Sequence, residues 1–420
     1  MTTTTSTPGG LTAAEVELLG HDLDAIRQDV LDDRGERDAA YIRRLVKVQR
    51  CLELGGRVVL LAGRNRTAWV VGTTALSLAK ILDNMEIGHN VLHGQWDWMR
   101  DPKIHSSTWQ WDHTSPPEQW QRAHNQVHHR YTNIIGKDND LGYGIMRVDE
   151  AQEWRPRYLL QPIQNLVTAC IFEQGIAMYD LDLGEHLRDK RKMTPEKKAE
   201  AITTLKRGLR QAAKDYVVWP LLSGRGWRAT LSADATANLV RNLWSHSIIM
   251  CGHFPEGVEA FELDELDEDE SRGEWYVRQM LGSANISGPP VLHLLAGNLS
   301  HQIEHHMFPD LPSNRYAEIA PRVRQVFDKY GLSYCSRPLV QQVGSAWHKV
   351  VRLSLPNGWL ADTNRRNLVP QLRKLARSAG RGPTAPRGSG RVAAARQRIA
   401  TSTTALRTLV TTKNGALTAP

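Results

Sequence analysis

His301-Gln302-Ile303-Glu304-His305-His306-Met307-Phe308-Pro309 governs the reading of this chain, because its histidine spacing occurs twice more. His89-Asn90-Val91-Leu92-His93 and His124-Asn125-Gln126-Val127-His128-His129 repeat it, so half of the sixteen histidines fall in three short boxes. On a helix, residues four apart lie on one face, so each H-x-x-x-H pair can offer two imidazoles to one metal. The extra histidine at the fifth position lies about a quarter-turn further round, within reach of a second metal. A single such pair is weak evidence. Three in one chain, two of them ending in a His-His doublet, are not explained by packing. Imidazole suits iron, zinc, copper and nickel, so the ligand type leaves the metal open.

Working outward, the chain lacks the parts of several other redox proteins. A carboxylate-bridged ferritin-like site needs two Glu-x-x-His motifs on separate helices, and only Glu86-Ile87-Gly88-His89 is present. Cys51, Cys170, Cys251 and Cys335 are far apart, which excludes a cysteine-ligated cluster or disulfide framework and fits a reducing compartment. There is no GxGxxG for a flavin or nicotinamide domain. There is also no His-Pro-Gly-Gly of a fused cytochrome b5, the nearest string being Thr7-Pro8-Gly9-Gly10. Electrons for any redox chemistry are therefore expected from a separate protein.

The 420 residues, 41% of them hydrophobic, suffice for a sizeable core. A mean hydropathy of −0.44 resembles that of a soluble protein. Residues 1–10 show no signal-peptide pattern. The net charge of +8 belongs to the end of the chain, where twelve Lys and Arg follow Asp362 with no acid among them. Residues 361–420, with a Gly/Pro/Ser/Arg run at 380–390, are expected to be a disordered basic tail. Such a tail either keeps the chain soluble or binds anionic lipid headgroups. It has no aromatic residue for base stacking, which argues against nucleic acid. Glu262–Glu270, with seven carboxylates in nine residues, reads as a solvated loop or as a steering surface for a basic partner.

Residues 1–46 read as an amphipathic helical region, and 47–360 as the main domain. Within it, Gly56–Gly63, Thr67–Leu82, Tyr158–Tyr179 and Asp215–Cys251 are apolar enough for a bilayer or a buried core. A span needs ~20 apolar residues, and each stretch is short or carries polar residues such as Lys80, Glu173 or Arg241. Hydropathy alone leaves both readings open. Boxes one and two lie well before box three, so the last two stretches are expected to form a hairpin that leaves and returns to the metal face.

At these positions the sequence resembles the membrane fatty acid desaturases, whose boxes have the form HxxxH, HxxxHH and [HQ]xxHH. Gln302-Ile303-Glu304-His305-His306 fits the third, and Gly88–Met99 and His128–Asp140 match closely as well. The resemblance covers roughly residues 15–355 and extends to the actinobacterial acyl-CoA (stearoyl-CoA) desaturases acting at carbon nine. It implies an all-α fold, an integral membrane helical bundle of about four spans under a cytoplasmic helical cap that holds a di-iron site. It implies a multi-pass protein of the cell membrane, with metals and tail on the cytoplasmic side. Expected ligands are His89, His93, His124, His128, His129, His305 and His306. His253, in preference to His246, is expected from the preceding helix. His301 and Gln302 compete for the remaining third-box position. Trp98, Thr132 and Asn133 are expected beside the acyl chain. Asp97, Asp138, Asp140 and Glu304 are candidates to orient imidazoles. His21, His105, His113, His186, His293 and His348 stand outside the boxes and are expected to be surface or packing residues.

Removing hydrogen from an unactivated methylene needs an oxidant stronger than any side chain, so a cofactor must supply it. The resemblance implies two iron ions with O2 as co-substrate, and a long-chain acyl-CoA or acyl lipid as substrate. It also implies a separate NAD(P)H-dependent reductase or ferredoxin, and membrane lipids around the protein. A hydroxylase using the same boxes and a non-redox di-zinc protein are the alternatives.

Overall fold

The computed structural model describes residues 10–138, 140–181, 193–263 and 269–359. The basic tail and most of the acidic loop lie outside them, as does His186. The described residues are overwhelmingly helical; the strands among them are β1 (Asn285–Ser287) and β2 (Ser336–Pro338), paired in parallel.

Helix α1 (Ala13–Asp33) opens with a reciprocal cap, in which Glu15 N–H donates to Thr12 Oγ1 and Thr12 N–H to the Glu15 carboxylate. Its apolar stripe, Leu19, Leu23, Ile26 and Val30, is buried with Tyr276, Phe308 and Phe327. Gly273 lets the backbones meet there, since a Cβ on it would lie 2.1 Å from the Val16 carbonyl oxygen.

Helix α2 (Glu36–Leu60) and α3 (Arg66–Ile81) form a hairpin, with Asn65 capping α3 by accepting from the N–H groups of Thr67 and Ala68. Gly56 and Gly72 bring the two backbones close. Helix α4 (Pro117–Gln121) leads into box two, and between boxes two and three lie α5 (Gln161–Cys170), α6 (Phe172–Tyr179) and α7 (Pro195–Ala213). Helix α7 continues through a π-wound segment, Lys214–Val218, and Trp219–Leu222 before the chain turns into α8 (Trp227–His253). The turn ends of the two hairpins meet, where Thr230 Oγ1 donates to the Leu60 carbonyl and Trp69 Nε1 to that of Ala229.

The hairpin expected between Tyr158–Tyr179 and Asp215–Cys251 is not what forms; the second stretch folds back on itself. The tail of α7 takes that place. Helices α5 and α6, broken at Ile171, lie only along the C-terminal half of α8, with Asn165 at Met250 and Asn242 at the Cys170 carbonyl. The physical reason is that Asn165 and Glu173 each need a polar partner, which His246 and Arg241 of that half supply.

No helix among the described residues is long and apolar enough to cross a membrane. Charges inside the hairpins break the apolar runs, and they pair with one another. Arg57 bonds Asp215 at 2.7 Å and Asp234 at 3.3 Å, Lys80 bonds Asp215 at 2.8 Å, and Arg241 bonds Glu173. The outward faces of these helices expose Val58, Val70, Val71, Val217, Leu221 and Val240. The remaining helices, α9 (Arg272–Leu281), α10 (Pro290–Leu295), α11 (Gln302–Met307), α12 (Tyr316–Lys329) and α13 (Leu339–Leu353), cover the histidine end.

Candidate metal centre

Box two is not wound as ordinary α-helix, and box one begins at the end of a π-wound segment. Helix α3 passes into a π-helix over Leu82–His89 before a final α turn at Asn90–Leu92, and α4 passes into a π-helix over Arg122–His128. The bond that shows it runs from His129 N–H to the His124 carbonyl, at 3.0 Å. In π winding the repeat is five residues, so residues five apart stack as residues four apart do in an α-helix. His129 is therefore above His124, with His128 beside them, and the quarter-turn offset expected from α geometry is removed. Box three lies on α11, and the last residue of α8 brings in His253.

The ring nitrogens form two adjacent clusters. Ligand atoms of His89, His93, His124 and His305 all lie within 4.8 Å of one another, and so do those of His128, His253 and His306. His129, grouped with His305 and His306, lies between them. The Nε2 atom of His89 is 3.2 Å from that of His93 and 3.3 Å from that of His305, and the Nε2 atoms of His253 and His306 are 3.1 Å apart.

The outward nitrogens fix which form these rings take. His128 Nδ1 donates to Asp138 at 2.9 Å, His124 Nδ1 to Asp140 at 3.0 Å, and His253 Nδ1 to the Gly282 carbonyl at 3.2 Å. His306 Nδ1 faces the Gln279 side-chain oxygen at 3.1 Å. With the proton on Nδ1, the Nε2 atoms of neutral His124, His253 and His306 carry a bare lone pair. Lone pairs of His253 and His306 thus point at each other across 3.1 Å, an arrangement that repels unless a cation lies between them. His124 Nε2 and both nitrogens of His129 are buried with no hydrogen-bond partner among the described residues. The donor set, all imidazole nitrogen backed by carboxylate and carbonyl acceptors, fits a divalent transition metal.

Electrostatics agree. Burial, then the neighbouring histidines, pushes His93, His124, His129, His305 and His306 well below the usual imidazole range, and His89 and His253 down to about 3. These rings are neutral, the form that binds metal. Burial opposes charge on His128 too, but Asp138 and Asp140 outweigh it and raise that ring to about 9. Asp138 also accepts the N–H of Asn133 and of Asp140, so one carboxylate ties the loop after box two to its imidazole.

Other expected residues are placed differently. Gln302 joins the second cluster, its amide 2.9 Å from His253 Nε2, and Gly252 is the gap that admits it. His301 turns away and stacks on His293 with ring centroids 4.6 Å apart. His246 bonds Asn165. Asp97 bonds Ser106, and Glu304 accepts from Asn285 and Tyr334, so neither orients a clustered ring. Glu86 likewise faces Tyr41, Ser313 and Asn298.

Trp98, Thr132 and Asn133, expected beside the acyl chain, make other contacts and do not line the cavity at the histidines. Trp98 lies under the Arg34 guanidinium, and Thr132 Oγ1 stands behind the ring of His306. Asn133, at φ 58°, ties the loop to the Glu259 carbonyl. Adjacency to a box in sequence placed them behind the ligands rather than in front. A narrow cavity of about 40 Å³ in front of His89 and His124 is lined instead by Met85, Trp111, Trp120, Phe172, Ile176 and Ile249. His113 lines it too and stacks on Trp111. No spacing rule marks these positions, because they come from five separate segments.

Residues 67–338 match the fatty acid desaturase family. The chain is 46% identical over 377 residues to an NADPH-dependent stearoyl-CoA 9-desaturase of Mycobacterium tuberculosis, covering 89% of this chain and 87% of that protein. It is 26% identical over 220 residues to a sn-1 linoleoyl-lipid 6-desaturase of Synechocystis sp., covering 51% of this chain and 60% of that one. With the histidines gathered into clusters able to hold metal beside a narrow cavity, the chain belongs to the fatty acid desaturase family and is an oxidoreductase.

Proposed function

We propose that this enzyme is an O2-dependent acyl-CoA desaturase, introducing a cis double bond at carbon nine of a saturated long-chain acyl-CoA. The observation that carries the reading is the pair of imidazole clusters sharing His129, His305 and His306 beside a slot with one apolar wall of Met85, Phe172, Ile176 and Ile249. The name of the mycobacterial relative supports the substrate and the position of the double bond. Two irons would be held by His89, His93 and His124 on one side and His128, His253 and His306 on the other, with His129 and His305 between and Gln302 adjoining.

When bound, iron supplies the oxidising chemistry with dioxygen that side chains lack. The balance is one saturated chain, one O2, two electrons and two protons giving one alkene and two waters. The electrons come from a separate NAD(P)H-dependent reductase or ferredoxin, as the NADPH in the relative's name suggests. The protein's own contribution is positional. Asp138 and Asp140 hold their rings with Nε2 forward. Trp111, Trp120, Phe172 and Ile176 grip the methylenes and keep water from the reacting carbons.

The reading includes a place in the cell membrane, with the histidine end on the cytoplasmic side. Its support is the apolar outer faces of α2, α3, α8 and the α7 tail, a surface larger than single scattered residues would make. Pairing of the buried charges removes the largest cost of placing such helices in lipid.

Expression in a desaturase-deficient host, beside a His305→Ala, His306→Ala variant, tests the function. A new monounsaturated acyl species that vanishes in the variant supports it, and the position of the double bond is read from the same lipids. A hydroxylated species moves the enzyme to hydroxylation. An unchanged profile from folded, iron-loaded protein with a competent reductase sinks the proposal.

A further inference from the structure

Between α6 and α7 lies a cavity of about 390 Å³ with a lining that is mostly hydrocarbon. From α7 it is walled by Ala201, Leu205, Gly208, Leu209 and Ala212, residues of one helical face whose small members leave the space open. Its polar residues are turned on partners: Glu173 pairs with Arg241, Thr204 donates to Gln119, and Gln211 to the Asp112 carbonyl. Among the described residues it has no lining residue in common with the slot at the histidines, which sets its occupant apart from the reacting chain.

The space is a groove whose two ends differ in character. It is open along one side, where Met178, Leu205 and Leu209 both line it and are exposed. Away from the histidines, Tyr216 leads onto the exposed Val217 and Leu221, part of the outer surface placed in lipid above. At the other end Arg122, just before box two, pairs with Glu200, which puts the start of α7 beside the histidine boxes. There Lys197 and Lys198 precede Ala201 by four and three residues and carry the same helical face one turn further. Lys198 is exposed, and Lys197 shares Glu200 with Arg122. From Ala201 to Tyr216 the groove runs ~22 Å at about 1.5 Å per residue, enough for one leaflet's half of a ~30 Å hydrocarbon core.

We propose that the groove seats one acyl chain of a cytoplasmic-leaflet phospholipid with an acidic headgroup, its phosphate drawn to Lys197 and Lys198. This rests on the membrane placement proposed above. A phospholipid of that kind meets both ends at once, with hydrocarbon along the small residues and negative charge at the lysines. The cytoplasmic leaflet is also the anionic one. The basic residues 363–420 of this chain would instead set cations against cations.

The test uses the full iron-loaded protein in phosphatidylcholine vesicles, with a trace of phosphatidylglycerol or phosphatidylcholine bearing a diazirine on one acyl chain. After photolysis, label within 173–181 or 201–216 is expected to be about fivefold or more higher from phosphatidylglycerol. Lys197→Glu with Lys198→Glu, a change at the helix surface, should bring that ratio near one while iron content holds. Ala212→Phe should lower groove label from both lipids. Equal label from the two lipids in the wild-type protein overturns the proposal, and so does a ratio that survives the double substitution. Label that excess octadecanoyl-CoA removes would give the groove to the substrate and overturn it as well. So would unlabelled groove peptides with an amine cross-link from Lys198 to residues 363–420 or to a second copy. Protein that does not enter the vesicles refutes the membrane placement, and the proposal falls with it.

Discussion

Two buried polar clusters share the helices α3 and α8, and they are built on opposite rules. Around Asp215, charge meets charge: Arg57 and Lys80 occupy its two oxygens, and Arg57 also reaches Asp234. Around His129, lone pair meets lone pair, and both ring nitrogens lack a hydrogen-bond partner among the described residues. In the first cluster both oxygens of Asp215 are paired, and Asp234 keeps one buried oxygen without a hydrogen-bond partner among the described residues. The second makes sense only as a holder for cations. Pairing of opposite charges therefore separates a structural cluster from a functional one, although both are rich in titratable groups.

That contrast can be broken by experiment. The largest effect is expected from His253→Ala, which removes one of three ligands from its cluster. Turnover should fall by more than ~100-fold, beyond the usual cost of losing a group behind a ligand, with bound iron reduced in elemental analysis. Unchanged iron and turnover would show that His253 is not a ligand. Next comes Asp215→Asn, which strands two buried cations. Unfolding in detergent should show about 3–5 kcal/mol of lost stability, while the iron-to-protein ratio of the folded fraction stays constant. Loss of iron without loss of stability would reverse the roles of the two clusters.

A smaller effect, ~10–100-fold in iron affinity, is expected for Asp138→Asn, because the amide can no longer hold His128 through a charged acceptor. Competition with a chelator measures it, and an unchanged affinity would make Asp138 a loop residue only. The smallest concerns Arg322→Ala, whose partner Asp29 is exposed with it. A change under about 1 kcal/mol in unfolding, and none in iron, sets the baseline for the others.

The histidines were legible because a metal site repeats one residue type at short spacing. Their winding was not. A sequence of the form HxxxHH is compatible with α or π turns, and the choice is made by packing, as at Gly88, where a Cβ would meet the Asp83 carbonyl and Trp111. The helical class followed from the same boxes, but the pairing of the hairpins did not. Tyr158–Tyr179 is more apolar than the α7 tail, yet Asp215 there has the partners that draw the tail inward, as Asn165 and Glu173 draw α5 and α6 elsewhere. The slot residues were hidden for another reason. Trp111, Ile176 and Ile249 are ordinary hydrophobic residues, and only the folded chain distinguishes those facing a ligand from those facing one another.

Segment Leu82–His89 changes what an insertion or deletion would mean here. A π segment is an α-helix holding one residue too many for its turns. Removing a residue among Leu82–Ile87 could be absorbed by relaxation to α winding, whereas adding one exceeds what the π winding already takes up, and everything after it turns by roughly 100° or is pushed along the axis. The imidazoles of His89 and His93 would then be carried off the site together, although neither had been altered. In this enzyme the count of residues in one turn is as much a part of the metal centre as the histidines themselves.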